Sequence, residues 1–180
     1  SHRPDFQFGP GEAPAVAALV ARLEGIPLAL ELAAARVRSM SVADIHRRLT
    51  RRYQVLTGGS VVLAERQQTL RALVDWSYDM LSPAEQRLFQ RVAVFAGGFA
   101  LAAAEQVCAD DDLVPDWEVP DLLGSLVEKS LLGLVHKGGE GRYTMLETLR
   151  DYAAEKLAAG GDGPATRARH CGHFFGQAKL

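Results

Sequence analysis

The sequence predicts a mostly α-helical chain with one small β-hairpin. Apolar residues recur at spacings of three and four through most of the 180 residues. Proline and glycine interrupt these stretches where helices typically start and end. A glycine-rich turn, Lys137 to Gly141, separates two short stretches of strand type. This length suffices for one large or two small domains, each with a core of its own.

Three helices are predicted in the first part of the chain. The stretch Ala13 to Leu23 has one apolar helical face, and Gly25 ends that helix. Pro27 suits the first turn of the second helix, because its fixed φ and missing N–H cost nothing there. Ser41, with Asp44 three residues later, marks the start of the third helix.

Three further helices follow a helical stretch from Leu70 to Tyr78. Ser82 and Glu85 form a capping box, worth about 1 kcal/mol, in front of a helix that Gly97 ends. A short helix covers Leu101 to Cys108. Pro120 opens the next helix, whose predicted inward side chains are Leu122, Leu123, Leu126 and Val127.

The two predicted strands, Ser130 to Val135 and Arg142 to Met145, come directly after these helices. Helix, helix, helix and hairpin is the order of a winged helix. Thr144 and Glu147 then predict a second capping box, which starts an amphipathic helix that reaches Gly160.

Residues typical of loops and helix starts divide the chain into three parts. Tyr53 to Glu65, with its paired glycines, is predicted to be a linker. We therefore predict a helical domain at residues 1–64 and a winged-helix domain at residues 65–160. Residues 161–180 are predicted to hold the first helix of a further helical region, beginning near Pro164.

Composition narrows the functional classes. The formal net charge of −2 gives no global field that would attract nucleic acid or an anionic membrane, and no apolar run is long enough to span a bilayer. Cys108 and Cys171 lack C-x-x-C partners, which favours a reducing cytoplasm. His170, Cys171 and His173 do not have the spacing of a tetrahedral zinc site, so no metal site is predicted. No catalytic constellation is predicted, and we do not expect an enzyme.

Several segments together resemble one family. Gly25 to Leu28 resembles a G-L-P-L element, and Met145 to Glu147 resembles an M-H-D element. The other similar segments are Arg66 to Arg71, Asp75 to Leu81, Val94 to Phe99 and Leu126 to Leu131. The chain is thus similar to bacterial STAND or NB-ARC P-loop ATPases that regulate transcription, described as LuxR-like or AfsR-like.

The resemblance implies a helical lid (the ARC1 part), a winged helix and the start of a tetratricopeptide-like repeat, with the nucleotide-binding core outside this segment. No G-x-x-x-x-G-K-[ST] motif is present. The resemblance also implies that the adenine of ADP or ATP contacts Gly25, Ile26, Pro27 and Leu28. Binding of ADP or ATP, with Mg in the parent protein, would be weak or absent in this segment alone. From the residues alone, an ordinary turn between helices explains the same four positions.

The second element departs from the family pattern. Leu146 stands where the pattern has a histidine, and leucine can neither donate a hydrogen bond nor carry charge. Glu147 stands where the pattern has an acid, and the predicted capping box explains it without a ligand. Leu146 and Glu147 are therefore predicted as a docking edge towards the absent core, and the nucleotide contact at these two positions is implied by the resemblance alone.

The helix in the recognition position of the winged helix is predicted to be a poor match for DNA. It runs from about Glu118 to Lys129 and carries Asp121 and Glu128, with no arginine, asparagine or glutamine for base edges. The wing adds only His136, Lys137 and Arg142. A cluster on the third helix comprises Arg47, Arg48, Arg51 and Arg52. It fits a solvated helical face, or a contact with phosphate or with an acidic partner surface.

The resemblance thus implies the regulatory arm of a transcriptional regulator switched by ATP and ADP. Its partners would be the P-loop core of the parent chain and, on activation, further copies. Direct DNA binding by this segment and membrane contact are not expected. Two alternatives stay open: a stand-alone winged-helix DNA-binding regulator, and a protein-binding helical adaptor.

Overall fold

The protein forms two compact units. The structure is a computed structural model that describes residues 12–56, 65–110, 112–137 and 140–177. Contacts between Cα atoms divide the chain between Met80 and Leu81.

The described part of the first unit holds four helices. They are α1 (Ala13–Arg22), α2 (Pro27–Arg36), α3 (Val42–Leu56) and α4 (Glu65–Asp79). Helix α3 packs against α1 and α4, and α2 packs against α4. Its core holds the fully buried side chains Leu23, Leu32, Ile45, Leu49 and Leu73. In α3, the buried Val42, Ile45 and Leu49 are three and four residues apart, so this helix buries one stripe.

Local signals set the starts of these helices. Pro27 is the first residue of α2, as predicted. The Asp44 N–H donates to the Ser41 Oγ at 3.1 Å, which confirms the predicted start of α3. Between α1 and α2, Gly25 has φ +67°, a conformation that costs glycine little.

The predicted linker was wrong at both ends. Tyr53 to Leu56 belong to α3, because no glycine or proline stops that helix before Gly58, and Glu65 already begins α4. Residues 57–64 lie outside the described part of the chain. Helix α4 packs within the first unit, whereas the sequence prediction placed it in the winged-helix domain, and the contact boundary comes after it.

The second unit has the topology of a winged helix with two helices after it. Its elements are α5 (Pro83–Arg91), β1 (Phe99–Ala100), α6 (Leu101–Cys108), α7 (Val119–Glu128), β2 (Gly133–Lys137), β3 (Glu140–Thr144), α8 (Glu147–Ala159) and α9 (Gly163–Gln177). The antiparallel sheet has the order β1-β3-β2. A mostly helical chain with a winged helix is the predicted fold class, and it is confirmed.

The core of this unit lies between α5, α7 and α8, while α6 packs against α9. Its large, fully buried side chains are Leu88, Phe89, Leu123, Leu126, Leu131, Leu149 and Leu157. The helix predicted after Ser82 is shorter than expected, since α5 ends at Arg91 and a 3-10 turn covers Val92–Val94.

The hairpin starts later than the sequence predicts. Ser130 has φ +59°, its N–H donates to the Val127 carbonyl, and the Leu131 N–H donates to the Leu126 carbonyl. This Schellman arrangement closes α7 first, so β2 begins only at Gly133. Strand β1 was not predicted, because two residues are too few to show a period.

The turn before β1 packs closely against β3. Gly98 has φ +84°, and a Cβ at this position would lie 2.8 Å from the Tyr143 carbonyl oxygen, so only glycine fits without a shift.

The second predicted capping box was wrong. Helix α8 begins at Glu147 with Leu146 at its N-cap and no side-chain cap, because Thr144 still belongs to β3.

Candidate functional site

Glu85 fixes the start of α5. The Ser82 N–H donates to the Glu85 Oε2 at 2.7 Å, and the Glu85 N–H donates to the Ser82 Oγ at 3.2 Å. Both halves of the predicted capping box are therefore present. The same carboxylate is buried, which the capping motif alone does not explain.

The second oxygen of Glu85 connects α5 to α7. Glu85 Oε1 accepts hydrogen bonds from the Ser125 Oγ, at 2.5 Å, and from the Lys129 ammonium. Burial by itself raises the pKa of this carboxyl, but the hydrogen bonds from Lys129, Ser125 and the Ser82 N–H outweigh burial and lower it. The arrangement sets the position of α7 and holds Lys129, at the C-terminal end of this helix, against α5.

The outward face of α7 is acidic, and the 3-10 turn Asp116–Glu118 before this helix adds one large aromatic ring. Trp117 is 72% exposed. Asp121, Gly124 and Glu128 follow it at helical spacing and are exposed as well. We call these four residues the α7 face. It presents two carboxylates and an indole, and no side chain that could donate two hydrogen bonds to a base edge.

The wing adds little positive charge. The Arg142 guanidinium donates to the Gly98 carbonyl at 2.9 Å, which ties it to the turn before β1. His136 is exposed on β2, next to the exposed apolar side chains Leu134 and Val135. A DNA-binding wing needs several phosphate contacts, and this one has few groups to make them.

A buried arginine joins α5 to the loop after α6 and to the start of α9. Arg91 is 3% exposed. Its guanidinium donates to Asp162 at 2.6 Å, to the Cys108 carbonyl at 2.7 Å, and pairs with Asp110 at 2.6 Å. Burial raises the pKa of both carboxyls, but the hydrogen bonds they accept, from Arg91 and, for Asp110, also from backbone N–H groups, lower it overall. Burial raises the pKa of the Cys108 thiol to about 12.

Histidines of α9 pack as ordinary helix residues. His170 meets the Phe95 ring at 5.1 Å between centroids, and burial followed by the nearby His173 lowers its pKa. The His173 Nδ1 lies 2.6 Å from the Gln106 Oε1. Cys171 is exposed. Within the described ranges, no group of three or more His, Cys, Asp or Glu is placed to hold a metal ion.

The six residues predicted to contact a nucleotide lie in two different units. Gly25, Ile26, Pro27 and Leu28 form the turn into α2 in the first unit, and a Cβ at Gly25 would meet no atom within 4 Å. In the second unit, Leu146 is 55% exposed, and the Glu147 carboxylate accepts a hydrogen bond from the Arg150 guanidinium at 3.3 Å. Each of the two elements lies at the start of a helix and has residues exposed to solvent.

Sequence reasoning missed two features of the site. Trp117 lies about one turn before Asp121, and the spacing of four between them is the signal that could have found it. Arg91 carried no such signal, because its partner Asp162 lies 71 positions further along the chain.

Comparisons with known proteins agree with the architecture of the second unit. A model of the winged helix-turn-helix domain matches residues 81–158. Over 172 residues, or 96% of this chain, the sequence is 46% identical to proteins of Mycobacterium tuberculosis and Mycobacterium bovis that carry the provisional name HTH-type transcriptional regulator. An uncharacterized protein of Mycobacterium tuberculosis is 37% identical over the same length, which is 44% of that protein.

The chain spans 19% of the length of the regulators that it matches. No solved structure matches this chain with significance. None of the described helices is both long and apolar enough to cross a membrane.

Proposed function

We propose that this chain is a segment of a cytoplasmic transcriptional regulator and that residues 81–158 are its winged-helix module. The observation that supports the proposal is the winged-helix topology, β1-β3-β2 with α7 in the recognition position, in the residues that match the domain model. Its relatives named as transcriptional regulators support the same role. This segment supplies no catalysis in the proposal.

The α7 face acts through protein contacts in this proposal. Its carboxylates, Asp121 and Glu128, would face the phosphates of DNA and be repelled by them. Lys129, the cation at the end of α7, is held by Glu85. The exposed Trp117 is a residue type that often anchors protein interfaces, because an aromatic ring buries a large area at little entropic cost.

Sequence reading of DNA by α7 is the second candidate. The match to a helix-turn-helix domain model favours it, since the recognition helix of such domains enters the major groove. This candidate requires that the α7 face touch base edges, although its side chains are those of acids and one indole.

The experiment that separates the two candidates is a titration of the 180-residue chain with duplex DNA. Trp117→Ala and Asp121→Ala change the α7 face without touching the core, because both residues are exposed. We expect DNA affinity to stay within about 2-fold for both variants, apart from a small gain on removal of the Asp121 charge. A loss of sequence preference in Trp117→Ala would refute the protein-contact proposal and support reading by α7.

A nucleotide contact in the parent protein is a separate, finer proposal. The open turn at Gly25, with φ +67° and free space at its Cβ position, leaves the backbone accessible to a ligand or to another domain. Gly25, Ile26, Pro27 and Leu28 would meet the base of ADP or ATP, and Leu146 and Glu147 would border the P-loop core. In the intact protein, Gly25→Val should weaken binding of a fluorescent ADP at least 10-fold, and unchanged affinity would contradict this contact.

A further inference from the structure

Helix α3 carries three arginines on one exposed side. Arg47 and Arg51 are four residues apart and Arg48 and Arg51 three apart, so their side chains project from neighbouring positions on the helix. All three are exposed, and the Arg47 side chain is 65% accessible. The opposite side of α3 buries Ile45 and Leu49 in the core. We call Arg47, Arg48 and Arg51 the α3 arginine face.

Most of the positive charge on this face is uncompensated. Asp44 pairs with Arg47 and also accepts a hydrogen bond from the Ser41 hydroxyl. Within the described part of the chain, the guanidinium groups of Arg48 and Arg51 take part in no hydrogen bond or ion pair. At least two fixed positive charges therefore face solvent within one helical turn.

Charge is also unevenly divided along the chain. Residues 1–80 contain ten Lys and Arg against eight Asp and Glu, while residues 81–180 contain ten against fourteen. An anionic partner is thus attracted to the first unit, and the acidic α7 face repels it.

We propose that the α3 arginine face binds phosphates of the duplex DNA backbone. Guanidinium groups suit this role because their planar fork donates two parallel hydrogen bonds to a phosphate and is weakly hydrated. The choice of DNA rests on the proposed role in transcription. Three arginines neutralise at most about three phosphates, so binding is weak and independent of base sequence, with a dissociation constant of roughly 10⁻⁴ to 10⁻⁶ M.

The test is the salt dependence of binding by the full 180-residue chain to a fluorescent duplex of about 20 base pairs. With three phosphate contacts, affinity should fall about 40-fold between about 50 and about 200 mM salt. For Arg48→Gln/Arg51→Gln, which leaves one contact, the fall should be about 3-fold. Arg48→Lys/Arg51→Lys keeps both charges, and its fall should stay close to that of the wild-type chain.

A matched control is Arg167→Gln, which removes one exposed arginine from helix α9. Its salt dependence should equal that of the wild-type chain, while each single variant, Arg48→Gln or Arg51→Gln, lowers it by about one phosphate. Equal salt dependence in all variants overturns the inference, and so does equal loss in Arg167→Gln. Binding to polyglutamate without binding to duplex DNA also overturns it, because the face would then serve an acidic protein. These outcomes leave the α7 titration unaffected, so the two proposals fail separately.

Discussion

Arg91 on α5 donates from its Nε to the Asp162 carboxylate at 2.6 Å, directly before α9 begins. The same guanidinium pairs with Asp110 and donates to the Cys108 carbonyl, so one buried side chain joins α5, the loop after α6 and the start of α9. Arg169 on α9 adds a hydrogen bond from its Nε to the Val107 carbonyl at 2.7 Å. Helix α9 is therefore held by the winged helix.

Arg91→Met is expected to destabilise the folded chain by about 3 kcal/mol, because it leaves two partly buried carboxylates without their cation. Urea unfolding, followed by circular dichroism, measures this change in the free energy of unfolding. Arg87→Met is the matched control. Arg87 lies 3.6 Å from the same Asp162 carboxylate but is 37% exposed, so its loss should cost less than about 1 kcal/mol. Equal losses in the two variants would contradict the assigned role of Arg91.

Acid should weaken the same cluster. The pKa values of Asp110 and Asp162 are lowered from an ordinary value of 3.8. The ionised carboxylates therefore stabilise the fold above pH 3.8. This contribution is lost as the pH falls from 3.8 towards the lowered pKa values. Asp162→Asn removes part of that contribution, and its stability should fall less steeply in acid than that of the wild-type chain. Asp151→Asn, at an exposed position of α8, is the control and should follow the wild-type curve. An unchanged curve for Asp162→Asn would rule out this linkage.

Gly98→Ala should cost about 2 kcal/mol or more, because alanine is strained at φ +84° and its Cβ would meet the Tyr143 carbonyl oxygen. Gly97→Ala provides a neighbouring control, since a Cβ there meets no atom within 4 Å. Thermal unfolding of both variants gives the comparison. A Gly97 variant as unstable as the Gly98 variant would refute the steric explanation.

The two cysteines should differ in reactivity. Cys108 is buried with its pKa raised to about 12, and Cys171 is exposed on α9. At about pH 8 a disulfide reagent should modify one thiol per folded chain, at Cys171, and the second only after unfolding. The Cys171→Ser variant should show almost no modification in the folded state. Rapid modification of Cys108 in folded Cys171→Ser would contradict its burial.

The sequence was sufficient for what short-range signals determine. Pro27, the Ser41 and Asp44 pair, and the Ser82 and Glu85 capping box each lie within a few residues of the helix start that they set, and the structure confirms all three. The order of helices and hairpin likewise predicted the winged helix.

Features that depend on distant residues could not be predicted. Strand β1 exists because Phe99 pairs with Tyr143, and Glu85 is buried because Ser125 and Lys129 of α7 reach it. The false capping box at Thr144 shows the converse, since pairing in β3 overrides a local helix signal. For the candidate site, the acidic side chains of α7 were predicted, and the orientation that exposes them with Trp117 required the fold.

The most direct test of the central claim is the transcript profile of the source organism with Trp117→Ala in the intact protein. A strain that lacks the gene and a strain with Arg167→Gln serve as the two references. If the winged helix regulates transcription through its α7 face, Trp117→Ala should reproduce most of the transcript changes of the gene deletion at unchanged protein level, and Arg167→Gln should not. A deletion strain whose transcripts match those of the wild type would contradict the claim.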